Sequence, residues 1–109
     1  MIIPSDAIIA VEKVRDYLLK PLVDGDKSRY LKLGGYERSD YTRLAKDLRE
    51  QLLPGEGIFQ EPTLYGEKYI LHGYLNCPNG RELAVKTVWE RNDNGEFRFV
   101  TLYPGKRRK

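Results

Sequence analysis

The residues in this chain able to do chemistry are cations, hydroxyls and one imidazole, and together they suit phosphodiester cleavage better than any other reaction. Lys27, Arg29, Lys32, Arg81 and Lys86 are cations that could stabilise a pentavalent phosphate. Thr87, Thr101 and Tyr103 place hydroxyls at or near strand centres, where they could orient a phosphate or a 2′-hydroxyl. Eight tyrosines offer surfaces on which bases stack. His72, the only histidine, is a candidate acid/base near neutral pH, since imidazole is the side chain that ordinarily titrates there. Each also has an ordinary reading: threonine and tyrosine are common strand residues, and a lone strand histidine is commonly half-exposed surface. A Cys77–His72 nucleophile pair is the weakest candidate, because Cys77 lies in a turn with no evident activator.

Other chemistries lack their residues. There is no P-loop, no Gly-rich dinucleotide turn and no HExxH, and no motif asks for a cofactor. One cysteine rules out an intrachain disulfide, and the soft ligands beside it, His72 and Met1, fall short of a four-ligand structural zinc site. That cysteine usage fits a reducing cytoplasm. The N-terminus lacks a basic n-region and a long apolar run, and meets charge at Asp6, Glu12 and Lys13, so it reads as neither a signal peptide nor a membrane span. The net charge of +3 is a property of the tail: Lys106, Arg107, Arg108 and Lys109 contribute four positive charges, leaving 15 basic against 16 acidic residues. Such a tail can add phosphate contacts or be a solvated end, and bulk charge does not select the partner.

Any site must be built by elements read from the hydrophobic period. The 109 residues fit one domain, 1–105, with a basic tail at 106–109. Residues 2–10 predict a short strand or extended lead-in. Val11, Val14, Tyr17 and Leu18 form one apolar stripe that predicts a helix over 11–20, stopped by Pro21. A short helix through Leu31 follows a cap-like Asp24 or Asp26 and exits at Gly34 and Gly35. Tyr41, Leu44, Ala45, Leu48 and Leu52 recur at helical spacing behind a Ser39 or Asp40 cap, with Arg43–Asp47 and Lys46–Glu50 as i,i+4 pairs.

From residue 57 the period changes to two. Strands are predicted over 57–63, 67–74, 81–90 and 96–103, and the turns at 76–80 and 92–95 carry Asn-Gly signals for hairpins. Helices first and consecutive hairpins after predict an α+β fold, N-terminal helices packed on one face of a four-stranded antiparallel meander sheet. The second face stays open to solvent or a ligand. Simple alternation puts Thr101 and Tyr103 on the side of Phe97 and Phe99, and Thr87 on the side of Leu83, Val85 and Trp89.

Several blocks, VRDYLLKP (14–21), GDKSRYLKLGGY (25–36), GEKYILHG (66–73), PNGRELAVKTVW (78–89) and FVTLYP (99–104), resemble an uncharacterised family of small bacterial domains. In that family a tyrosine–dileucine helix precedes a G-x-K segment with a following arginine and aromatic, then NGR, TVW and a closing tyrosine–proline. The resemblance covers nearly the whole chain in the same order. The family's layout is similar to that of the barnase/colicin/RelE-like superfamily of metal-independent ribonucleases, often toxins of toxin–antitoxin or polymorphic systems. The resemblance implies cytoplasmic cleavage of RNA, a tRNA or an mRNA, by attack of the 2′-hydroxyl on the adjacent phosphate. It also implies neutralisation by a cognate antitoxin or immunity protein. Carried across, Lys27 is the helical-half cation or acid/base, Arg81 holds phosphate, and Thr87, Thr101 and Tyr103 line the site. Many relatives carry His immediately before that Lys, where this chain has Asp26; a lysine base needs a lowered pKa, and Asp26 beside it acts in the opposite sense. The rival reading is a non-catalytic protein-interaction module of a two-gene operon, and a third is a nucleic-acid binder without turnover.

Overall fold

In the computed structural model, residues 1–19 and 28–105 are described. Strand β1 (Ile2–Ile3) pairs antiparallel with β2 (Gly55–Glu56), and β3 (Ile58–Thr63), β4 (Gly66–Asn76), β5 (Glu82–Asn92) and β6 (Phe97–Pro104) form an antiparallel meander in that order. The α+β layout read from the sequence is the observed one. The hairpin turns have their glycines where a positive φ is needed, at Gly80 (85°) and Gly95 (82°).

The helices depart from the expectation in detail. Helix α1 (Val11–Lys13) widens into a π-helical turn over Val14–Leu18, closed by the Leu19 N–H donating to the Val14 carbonyl at 3.1 Å. The wider turn lets Leu19 join Val14 and Leu18 in the core, where a strict α-helix over 11–20 would turn Leu19 away from that stripe. Helix α2 spans Ser28–Lys32 and α3 Tyr41–Leu52. Asp40 does not cap α3: its carboxylate accepts the Glu37 N–H at 2.8 Å and closes a 3-10 turn over Arg38–Asp40. The apolar face of α3 is as read, with Leu44, Leu48 and Leu52 buried, and Arg43–Asp47 and Lys46–Glu50 meet at 3.7 and 3.9 Å.

Helix α3 lies on β4. Gln51 brackets the Asn76 backbone, accepting its N–H at 2.6 Å and donating to its carbonyl at 3.1 Å. The approach is close because Gly73 has no side chain: a Cβ there would stand 2.6 Å from Leu52 Cδ2. The core between helices and sheet holds Val14, Leu18, Leu31, Tyr36, Leu44, Leu48, Leu71, Leu75, Val85, Trp89, Phe99 and Leu102. Trp89 and Phe99 meet edge-to-face at 5.4 Å, a pairing worth about 0.5–1.5 kcal/mol beyond area burial. Among the described residues no helix is long and apolar enough to cross a membrane.

Strand β6 does not alternate simply. Val88 pairs with Thr101 but Trp89 with Phe99, so Val100 is an extra residue and the register shifts there. A one-residue bulge turns every later side chain to the other face. Phe97, Phe99 and Leu102 are therefore in the core, while Thr101 and Tyr103 align with Val88 and Lys86 on the opposite, outer face. The simple alternation expected for this strand is corrected by that bulge. Residue Ile8 adds a parallel bridge to β6, donating to the Phe97 carbonyl at 2.9 Å and accepting from the Phe99 N–H at 2.8 Å.

Candidate functional site

The outer face is organised as cross-strand rows, since residues opposite one another in a ladder share a face. Its middle row runs Ile58–Ile70–Val88–Thr101 across all four strands. To one side lies His72–Lys86–Tyr103, contributed by β4, β5 and β6. To the other lies Glu61–Lys68–Glu90–Arg98, where Lys68–Glu61 (3.5 Å) and Arg98–Glu90 (3.2 Å) form ion pairs.

The His72–Lys86–Tyr103 row is the chemically versatile part of the face. His72 and Tyr103 are exposed and Lys86 is half-buried between them, its ammonium 5.9 Å from the centre of the Tyr103 ring. A groove of about 420 Å³ opens over His72, Lys86, Pro104 and Gly105. The three side chains bring together an acid/base, a fixed positive charge and a hydroxyl, which is a working set for a reaction at phosphorus. The row closes at Ala84, two residues before Lys86: the Ala84 carbonyl accepts from Tyr30 Oη of α2 at 2.6 Å and from the Gly105 N–H at 2.9 Å. Helix α2 therefore meets β5 beside the row, with Ser28, its first residue, buried.

The residues singled out in the sequence are distributed as follows. Lys27, with Asp24, Asp26 and the basic tail 106–109, lies outside the described residues. Tyr103 is in the row and Thr101, 6 % exposed, is in the row beside it. Arg81 is exposed in the turn before β5, its N–H donating to Asn79 Oδ1 at 3.0 Å. That turn holds the end of α2, through Asn79 N–H to the Gly34 carbonyl (3.1 Å) and Asn79 Nδ2 to the Leu33 carbonyl (2.9 Å). Arg81 stands five residues from Lys86, about 16 Å along the strand. Thr87 faces the other way. It is fully buried on the helix side, where Oγ1 donates to the Leu71 carbonyl at 2.8 Å and accepts from Trp89 Nε1 at 2.8 Å. The sheet thus brings Thr101 and Tyr103 together and separates Thr87 from them. Cys77 is buried, and burial pushes its thiol pKa up, the opposite of an activated nucleophile.

The pairing of His72 with Lys86 and Tyr103 was not read from the sequence, although both cation and imidazole were noted singly. Its signal was present: Phe99 and Leu102 both need burial, and their odd spacing requires a bulge between them. Elsewhere, Asp16 is held down to about 2 by hydrogen bonds from Arg15 and Arg38, while burial and the Asp47 carboxylate push the Tyr36 phenol up. Tyr36 donates to Asp47 Oδ2 at 2.5 Å beneath α3, on the far side of the sheet from the row. No cluster of three His, Cys, Asp or Glu side chains suited to a metal ion occurs among the described residues.

None of the curated proteins compared matches the chain. Among solved structures, a chain of a contact-dependent growth inhibition toxin–immunity protein complex from Klebsiella pneumoniae 342 is similar in fold, with a TM-score of 0.69 at 18 % identity. The match covers 94 % of this chain and 97 % of that one. The model of the domain of unknown function DUF6883 matches residues 4–106, and the chain belongs to that family.

Proposed function

We propose that this chain is an endoribonuclease of bacterial toxin type, cleaving RNA without a metal ion and held in check by a cognate immunity protein or antitoxin. The observation that carries the reading is the His72–Lys86–Tyr103 row, an imidazole, an ammonium and a phenol aligned across three strands, with an open groove over His72 and Lys86. The likeness in fold to a chain of a toxin–immunity complex supports the setting.

In this reading His72 accepts the proton of the 2′-hydroxyl, whose oxygen attacks the adjacent phosphorus. Lys86 balances the charge that gathers on the phosphorane, and Tyr103, with Thr101 beside it, hydrogen-bonds its non-bridging oxygens. The bond to the 5′-oxygen breaks, that oxygen takes a proton for which Lys27 is the candidate donor, and the products are a 2′,3′-cyclic phosphate and a 5′-hydroxyl. Arg81, in the turn before β5, is suited to a flanking phosphate rather than to the reacting one.

The test is cleavage of RNA by the purified chain, with growth of a host expressing it without a partner gene. Wild type is expected to cut RNA and slow growth. His72→Ala and Lys86→Ala are expected to lose about 10²-fold or more in rate while remaining folded, the usual weight of a positioned acid or base. Intact RNA and normal growth from well-folded wild type would refute the reading.

A second reading, a non-catalytic protein-binding member of such a pair, is favoured by the exposed apolar residues Ile58, Phe59 and Leu64 on and beside edge strand β3. It expects His72→Ala to be neutral and substitutions at Ile58 or Phe59 to abolish partner binding.

A further inference from the structure

Across helix α3 and the sheet, cations are matched to carboxylates: Arg43–Asp47, Lys46–Glu50, Lys68–Glu61, Arg91–Glu67 and Arg98–Glu90 stand 3.2–3.9 Å apart. Lys32 and Arg81 depart from that pattern. Both are exposed, and neither meets a carboxylate among the described residues. They belong to different elements, Lys32 to the end of α2 and Arg81 to the turn before β5.

Asn79 joins the two. Its Nδ2 donates to the Leu33 carbonyl at 2.9 Å and its N–H to the Gly34 carbonyl at 3.1 Å, while its Oδ1 accepts the Arg81 N–H at 3.0 Å. Glycines allow the approach: a Cβ on Gly34 would collide with Cys77, and one on Gly35, at φ 90°, would stand 3.3 Å from Asn79 Cβ. The backbones of Leu33 and Arg81 are thus separated by two hydrogen bonds and the width of one amide, which sets Lys32 and Arg81 on one corner of the domain. Like charges held together cost the fold energy unless an anion lies between them. The guanidinium fork matches two phosphate oxygens, and an ammonium adds a point charge. Glu82, next to Arg81 in the chain, is already engaged within the protein.

The corner is continuous with the row. From Arg81 to Lys86 is about 16 Å along the chain, about two to three nucleotides of an extended single strand. The other end of β5 is bordered by Asp93, Glu96 and a Glu90 already paired with Arg98, which turns a phosphate backbone away. We propose that Lys32 and Arg81 form a second phosphate site, holding the RNA backbone on one side of the scissile phosphate. The inference rests on the nuclease reading for the strand's path from the His72–Lys86–Tyr103 row. It makes length a requirement, because a dinucleotide can fill the row but not reach the corner.

The test uses the full chain and fluorescent oligothymidylates of two and six nucleotides, which lack the attacking 2′-hydroxyl and cannot be cleaved. Affinity is read by anisotropy between about 50 and 200 mM salt. The hexanucleotide is expected to bind about tenfold more tightly than the dinucleotide, and with a steeper salt dependence. Arg81→Gln and Lys32→Gln, both at exposed side chains and thus compatible with folding, are each expected to lower the hexanucleotide's log–log salt slope by about 0.7, the share of one phosphate contact in a single strand. Equal affinity for the two lengths, or a slope that neither variant changes, would overturn the inference. Cleavage of a ribodinucleotide as fast as a hexaribonucleotide would sink the corner site and spare the nuclease. Length-dependent binding that needs Arg81 and Lys32, in a chain that leaves RNA intact, would do the reverse.

Discussion

Replacing Thr87 by valine exchanges a hydroxyl for a methyl group of nearly the same size at a fully buried position. It removes two hydrogen bonds of 2.8 Å, one to the Leu71 carbonyl and one from the Trp89 indole. A buried group deprived of its partner costs about 1–3 kcal/mol, so the carbonyl and indole together lose about 4 kcal/mol. The added methyl returns about 1 kcal/mol through burial. The net loss of about 3 kcal/mol is a large share of a marginal stability of about 5–15 kcal/mol and lowers the melting temperature by about 12 °C for a chain of this size. Thr87→Ser keeps both bonds and loses only a methyl group, about 1 kcal/mol. Urea unfolding followed by the fluorescence of Trp89, the sole tryptophan, gives both values provided the slope with denaturant is unchanged. Equal stability of Thr87→Val and wild type, or equal damage by serine and valine, would refute the hydrogen-bond argument. Any RNA cleavage, expressed per folded molecule, is expected to survive both changes, because Thr87 lies beneath the sheet.

Gly34→Ala is expected to destabilise the fold by about 1–3 kcal/mol, seen as a lower urea midpoint, because the new Cβ would collide with Cys77 Sγ. Cys77 is expected to react with iodoacetamide at least tenfold more slowly in the native chain than in urea, since burial both shields the thiol and raises its pKa. Asp16, lowered to about 2 by Arg15 and Arg38, contributes stability present above the ordinary carboxylate range and lost as the pH falls through about 2. Asp16→Asn should therefore reduce the acid sensitivity of unfolding between about pH 4 and 2; because all three side chains are largely exposed, an effect at neutral pH should be small and vanish in high salt.

Where one periodicity governs a segment, the sequence was legible. The leucines of α3 and the glycines of the Asn-Gly turns each had a single structural use, and the meander followed from them. The departures occur where one extra residue is accommodated. The π-helical turn at Val14–Leu18 and the bulge at Val100 each change which side chains share a face, and neither alters composition or propensity. For the same reason the candidate site was only partly legible. Tyr103 and Lys86 were recognisable as chemical groups, yet their alignment with His72 depends on register across three strands, which long-range pairing decides. Thr87 was placed on its correct face, beside Val85 and Trp89, yet was read as a site residue because a buried threonine satisfying an indole and a surface threonine awaiting a phosphate are the same letter in a strand.

The Val100 bulge divides β6 into two stretches with different obligations. Before it, Phe97 and Phe99 answer to the core; after it, Leu102 keeps that duty at a shifted parity and leaves Thr101, itself nearly buried, and Tyr103 on the outer face. Residue count therefore matters more than residue identity at position 100. A substitution there keeps the allocation, whereas a single deletion would exchange it, forcing Thr101 toward the helices and Leu102 toward water. The placement of these hydroxyls on the outer face is thus a consequence of chain length between two core anchors.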